Sequence, residues 1–446
     1  MNTTIPRRTF VKQAGMGVAL AAASTATFSA KSYAAARGSN GTIQIAVLGT
    51  YRRYDGVIDS FANLPGVRVT WLCDVNAKVL EAGLQKSKAK LGYAPKTSQD
   101  LREVIAADDV DAVFILLPDH WHAAATKMAL EHGKHVYVEK PCSHNLREDE
   151  LLIEWSQKYE PLIQIGTQQR SSPETIEAMQ RIHAGEIGEV YEATAFYSNN
   201  RDQLKQPEVM PAPAHLNWEL FQGPAPRREF LDVVEDYNWH WFWHWGTAET
   251  GNNATHELDV ARWALQVRYP SSVSALALKR HWPDDGWEMY DTMDVQFLFE
   301  EQRRIRWDGR SRQRYLTYGS DRGTIIYGTE GSVFVNRDGF RLFDRSSKLK
   351  LERMGAGNEA GTALGGGGDM TTLHVKNFFD AMQGKAKLNG PIDEGAYSTH
   401  LCHYANVSAR LDGKLLKVNP SDGHFYNNQV MQEYWSRSYE PGWELE

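Results

Sequence analysis

Apolar and polar positions change rhythm once along this chain. Between residues 41 and 160, short unbroken apolar runs alternate with amphipathic stretches. "TIQIAVLG", "VRVTWLCD", "DVDAVFILLP" and "KHVYVEKP" read as strands, since continuous apolar runs suit strands covered by helices on both faces. "NAKVLEAGLQKSKAKLG", "WHAAATKMALEHG" and "REDELLIEWSQKY" carry their apolar residues at helical spacing. That alternation predicts an α/β fold with a doubly wound parallel sheet. From about Leu162 the period shortens. "GEVYEATAFYS", "SVSALALKRH", "DTMDVQFLFE", "QRRIRWDGR" and "GTIIYGTEGSVFVNRDGFRLFD" alternate apolar with polar. They predict, over 161–446, an α+β domain built on a large, mostly antiparallel open sheet. "GGGGD", residues 365–369, reads as a loop before a helical stretch.

The 446-residue length holds two domains of ordinary size,. A formal net charge of −7 without long single-sign runs argues against nucleic acid or an anionic membrane as the main partner. Residues 1–36 stand outside the fold. Arg7 and Arg8 precede Phe10 and Lys12, an alanine-rich apolar run spans 14–30, and the small-residue stretch "SYAAA" ends at Ala36. The order of charge, apolar run and small residues is that of a removable leader. The paired arginines resemble a twin-arginine (Tat) export signal, which implies a periplasmic protein with no membrane anchor after processing. Cys73, Cys142 and Cys402 are odd in number and far apart, which suits buried thiols in a chain folded before export rather than a disulfide framework.

Candidate chemistry begins at the end of the first strand. "GTYRRYDG" keeps Gly49 where a dinucleotide-binding loop turns, but places Tyr51 and Tyr54 where two further glycines belong,. Thr50 and Tyr51 would still border the phosphates, and Arg52 and Arg53 offer charge-assisted bonds in place of bare amides. Asp74 ends the second strand, at the spacing of a carboxylate that holds the adenosine ribose. It favours NAD; the two arginines keep NADP open.

"LPDHWHAAATKMALEHGKHVYVEKPCSHN" (117–145) resembles the glucose–fructose oxidoreductase / inositol dehydrogenase (Gfo/Idh/MocA) family. That family has a P-x-x-x-H segment, here Pro118 and His122, and an E-K-P tripeptide, here Glu139, Lys140 and Pro141. "QIGTQQR", "GEIGEVYEA", "GTEGSVFVNRDG" and "THELDVARWAL" are similar to the family as well, in the same order. The resemblance implies an N-terminal Rossmann domain (41–160) whose cofactor also meets Leu117, His120 and Gln168. It implies a substrate side that includes Arg170. It also implies Lys140 beside the nicotinamide and the substrate hydroxyl, where partial burial lowers the ammonium pKa toward a useful range. His256 is the second catalytic position. The family's aspartate four residues earlier is replaced by Asn252, with Asn253 beside it, so the usual acid–histidine relay is in doubt; Asp259 either substitutes or pairs with Arg262. In "YNWHWFWHWG" (237–246), Trp241, Trp243 and His244 are candidate sugar contacts, since aromatic faces stack on sugar C–H groups. The histidine spacings match no metal signature.

These readings imply an exported NAD(P)-dependent oxidoreductase that moves hydride between a secondary hydroxyl of a sugar or glycoside and a tightly held cofactor; the open face of the antiparallel sheet suits a homo-oligomer. Two alternatives use the same residues. One is a glycosidase that oxidises, eliminates, hydrates and reduces with no net redox change; the other is a non-catalytic sugar-binding relative.

Overall fold

The computed structural model describes residues 41–235, 237–355 and 368–446. The leader and most of the glycine run therefore lie outside the described residues. Six strands form the first sheet: β1 Ile43–Leu48, β2 Val67–Cys73, β3 Lys96–Ser98, β4 Ala112–Ile115, β5 His135–Val138 and β6 Ile163–Ile165. Their order is β3-β2-β1-β4-β5-β6, and every pairing is parallel. All residues of β4 are buried, as expected for a strand covered on both faces. β6 lies past residue 160, so the parallel sheet extends beyond the boundary drawn from the change of rhythm.

The second sheet has nine strands: β7 Val190–Ser198, β8 Ser272–Leu278, β9 Thr292–Leu298, β10 Arg304–Arg310, β11 Arg322–Gly328, β12 Gly331–Val335, β13 Gly339–Asp344, β14 Leu349–Met354 and β15 Leu416–Lys417. β7 and β10 pair in parallel; the other pairings are antiparallel. One face packs on the Thr255–Leu265 and Ile392–Arg410 helices, burying Leu258, Ala261, Val295, Ile305, Trp307 and Leu401 in a common core. On β8 and β9, Leu276 and Leu298 are exposed.

Residues 199–247 leave the second domain and cross onto the first. The amide of Ala77 donates to His215 O (2.8 Å) and that of Asn217 to Val75 O (2.9 Å). Further along, Trp121 Nε1 donates to Phe221 O (2.9 Å). This segment thus touches both lips of the cleft at the carboxyl ends of the parallel strands, where such sheets bind ligands. All three cysteines are free and buried. Among the described residues, no helix is long and apolar enough to cross a membrane.

Candidate active site

The cleft starts at Gly49. Its φ of +93° needs glycine, and an added Cβ would stand 2.5 Å from Leu116 O,. The next two glycine positions are met differently. Tyr54 is fully buried, with its hydroxyl 2.6 Å from Ser87 Oγ. The close approach between loop and helix has moved to Gly83, where a Cβ would lie 2.7 Å from Thr50 Cβ. The amides of Tyr54 and Asp55 bond to Tyr51 O and Arg52 O (2.7 and 3.1 Å), so they are committed within the turn. Tyr51, Arg52 and Arg53 line the cleft. Arg53, however, pairs with Glu139 (Nε–Oε1 2.6 Å), which takes much of it away from the expected phosphate role; its buried Nη2 has no hydrogen-bond partner among the described residues.

Thr50 does not line the cleft. It is buried, and its amide and hydroxyl donate to Asp74 Oδ2 (2.9 and 3.2 Å). Asn76 N donates to Asp74 Oδ1 (3.0 Å). Burial raises the Asp74 carboxyl and these bonds pull it back, leaving it above its ordinary value. Three donors fix the carboxylate at the mouth of the cleft, as a ribose-binding acid requires. The residues therefore fit a dinucleotide: a glycine turn no Cβ could enter, an oriented acid, and a buried guanidinium nitrogen left over.

At the other end, Glu139 and Lys140 follow β5, and the Lys140–Pro141 bond is cis. Gly166 makes room for Glu139, since a Cβ there would lie 2.7 Å from its Oε2. Gln168 Nε2 donates to Glu139 Oε1 (3.1 Å). Lys140 Nζ donates to Asn252 O (2.6 Å). Burial pulls the lysine below its ordinary range, against the opposing fields of Glu139 and Asp119. His122 lies with Nδ1 against Pro141 O (2.5 Å) and Nε2 against Leu117 O (2.8 Å), tying together the loops after β4 and β5. Leu117, Pro118 and His122 line the cleft. His120 does not: it is buried, with Nε2 against Phe221 O (2.8 Å).

The substrate end comes from the second domain. A π-helical turn, Thr250–Ala254, leads into the Thr255–Leu265 helix; such turns recur at functional sites. It brings Asn252, Asn253 and His256 to the cleft. Asn252 Nδ2 donates to Tyr237 Oη (2.8 Å), and Asn253 Nδ2 to Glu249 Oε2 (2.6 Å). Burial, and then the cations Arg337 and Lys140, hold His256 well below its ordinary range. Its imidazole is therefore neutral at pH 7.

Four expected substrate contacts lie elsewhere. Arg170 donates twice to Asp259 (2.8 and 2.9 Å) in a buried pair. Asp259 thus replaces no catalytic acid, and its main partner is not Arg262. Trp241 is buried and stacks on Trp287 at 4.1 Å. Trp243 packs near Tyr290 and Arg410. His244 Nε2 meets Pro226 O (2.7 Å). The members of the aromatic run that line the cleft are Tyr237, Trp239 and His240; His240 stacks 3.6 Å from Trp239. A 3-10 turn, Asn238–Trp241, carries Trp239 and His240, and no spacing within the run marked them. Asp119 and Arg337 also line the cleft and carried no motif. No cluster of three metal-ligating side chains occurs among the described residues.

Residues 43–167 match the family model described as oxidoreductase family, NAD-binding Rossmann fold (GFO_IDH_MocA), and residues 175–334 match the GFO/IDH/MocA C-terminal domain. The chain belongs to the Gfo/Idh/MocA family of NAD-binding oxidoreductases. A glycosyl hydrolase family 109 protein from Solibacter usitatus is 32% identical over 44% of this chain and 48% of its own length. The scyllo-inositol 2-dehydrogenase (NAD(+)) of Bacillus subtilis is 27% identical over 66% of this chain and 73% of its own. The chain spans less than half the length of the glycosyl hydrolase relatives it matches, 42% for the one from Streptomyces filamentosus. Levoglucosan dehydrogenase, solved with NADH and levoglucosan, shares the fold at a TM-score of 0.66 and 18% identity, over 85% of this chain and all of that one.

Proposed function

We propose that this member of the family oxidises a secondary hydroxyl of a sugar or glycoside, using a tightly held NAD. One observation carries the reading: Lys140 from the first domain and His256 from the second line the same cleft that Gly49 and Asp74 begin. When bound, the nicotinamide supplies the hydride acceptor. The chain's own residues bind, orient and manage the proton. Lys140, lowered by burial and held by Asn252 O, is the base for the substrate O–H. His256, neutral, positions that hydroxyl. Asn252 is an amide and adds no charge to make the histidine more basic, so the proton falls to the lysine. Asp74 favours NAD, because a carboxylate there repels a 2′-phosphate.

Tight holding is supported by the segment from His215 to Tyr237. Leu216, Trp218, Phe221 and Phe230 line the cleft, and the bonds to residues 75–77 and 121 pin them over it. A retained cofactor suits the periplasmic destination that the leader implies, where free dinucleotide is scarce. The half-exposed sheet face bearing Leu276 and Leu298 suits a homo-oligomer. The test is a mass spectrum of the denatured purified protein, followed by absorbance at 340 nm as glycosides are added. Bound NAD that becomes reduced supports the reading; a protein that neither carries nor binds the dinucleotide refutes it.

The similarity to glycosyl hydrolase family 109, together with the covered cleft, favours a second reading. Oxidation, elimination of the aglycone, addition of water to the resulting double bond and return of the hydride to the same sugar would give hydrolysis with no net redox change. Sustained aglycone release without an added acceptor selects this reading; a single turnover that stops at reduced cofactor selects the first.

A further inference from the structure

Tyr237 stands where three parts of the cleft meet. It belongs to the segment that crosses between the domains, and its half-buried side chain lines the cleft. The guanidinium of Arg52, from the loop after β1, lies 5.0 Å from the ring centre, close enough for a cation–π contact. Arg201, just past β7, lies 5.5 Å from the same ring and pairs with Glu249 (2.6 Å). The Tyr237 carbonyl meets His240 Nδ1 (2.7 Å), which fastens the turn that follows.

The hydroxyl is committed to one residue. It accepts from Asn252 Nδ2 (2.8 Å) and donates to Asn252 Oδ1 (3.2 Å). The backbone carbonyl of that same asparagine accepts from Lys140 Nζ (2.6 Å). A lysine side chain is long and flexible, so it is aimed only as well as its acceptor is fixed. Asn252 lies in the π-helical turn, which departs from the regular α-helical ladder. Its side-chain bonds therefore contribute more to where its carbonyl points. Contacts run unbroken from Arg52 through the Tyr237 ring and hydroxyl to Asn252 and the ammonium.

We propose that Tyr237 is a positioning residue for Lys140: through Asn252 its hydroxyl sets the direction of the ammonium, and through Arg52 its ring ties that setting to the loop where the dinucleotide phosphates belong. The role rests on the reading of Lys140 as the base for the substrate hydroxyl.

The test acetylates the intact protein with acetic anhydride between about pH 7 and 11 and follows each lysine by mass spectrometry of its peptides. It needs no sugar and no turnover. Lys140 is faced by Glu139 and Asp119, which raise it, and by Arg337 and Arg322, which lower it. The rings of His240 and His256 and the Cys402 thiol also feel it; all of these stay in place in the variants. Tyr237→Phe keeps the ring for Arg52 and removes the hydroxyl. A well-placed carbonyl favours the ammonium, so its loosening should make Lys140 react about threefold or more faster at pH 8, with the midpoint of its pH profile moved down. Arg52→Gln alters an exposed side chain and should quicken Lys140 about twofold. In the Tyr237→Phe background it should add nothing, because the hydroxyl that carries the effect is gone. Lys134, which precedes β5 where Lys140 follows it, also rests on carbonyls (2.9 and 2.8 Å) and should keep its wild-type rate throughout.

An unchanged rate or pH midpoint at Lys140 in Tyr237→Phe overturns the proposal. Equal acceleration of Lys134 does so too, since it marks general loosening. Full additivity in the double variant gives Arg52 another route to the lysine and overturns the link. Should Tyr237→Phe fail to fold, Arg52→Gln decides: acceleration confined to Lys140 supports the link, and none overturns it. Labelling is independent of the redox step, so a failure here leaves the oxidation reading to be judged at 340 nm.

Discussion

Replacing Lys140 with methionine keeps the length of the side chain and removes its charge and donors. Two effects follow from the structure, and they differ in size. Methionine leaves Asn252 O without the 2.6 Å bond from Nζ, a loss of about 1–3 kcal/mol for a buried acceptor. It also relieves the burial of an ammonium, which burial already disfavours. These two terms oppose one another, so the thermal midpoint should move by only a few degrees. Catalysis has no such offset. General acid–base groups contribute about 10²–10⁴ in rate, or about 3–5 kcal/mol of barrier. Lys140→Met should therefore reduce single-turnover cofactor reduction, followed at 340 nm by stopped flow, by at least about 100-fold. Dinucleotide content and sugar binding, read by tryptophan fluorescence, should stay within about threefold. Reduction at more than a tenth of the wild-type rate would refute the assignment of the proton to this lysine. Loss of the dinucleotide would show that Lys140 serves mainly to hold it.

Gly49→Ala forces a side chain into the left-handed region and toward Leu116 O; it should destabilise by at least about 2 kcal/mol in denaturant titration and lower dinucleotide content. Asp259→Asn leaves Arg170 without its main countercharge, at about 3 kcal/mol. Turnover by the folded fraction should be unchanged, because neither residue lines the cleft. His374 and His403 are buried and held down to about 4. Below about pH 6.5 the unfolded chain binds protons at these rings that the native state refuses. Stability is therefore full above pH 6.5 and should fall as pH drops toward 4, by on the order of 1–3 kcal/mol per ring. The midpoint of thermal unfolding across that range checks the sign.

The parallel strands were legible because helices cover both faces, leaving unbroken apolar runs such as β4. Strands β9 and β10 were legible because one face is wetter, leaving alternation. Gly49, Asp74 and Lys140 were legible as local signals at strand ends. What was hidden was non-local. Asp259 has Arg262 one turn away on its own helix, yet Arg170, 89 positions back, takes it. Arg337 reaches the cleft from a hairpin in the second sheet, and nothing beside it in sequence marks it. The aromatic run was read as a platform, but of its rings Tyr237, Trp239 and His240 line the cleft while Trp241 stacks on Trp287 in the core. Gly83 compensates for a missing loop glycine from a helix where no loop motif would seek it.

The central claim is that a sugar hydroxyl carbon and a nicotinamide meet between Lys140 and His256. Isotope transfer tests it most directly. A sugar substrate deuterated at its ring carbons is incubated with the purified protein, which is then denatured, and the released dinucleotide is weighed. The account predicts reduced NAD heavier by one deuterium, formed at least about 100-fold more slowly by Lys140→Met. Reduced NAD with no label would contradict it.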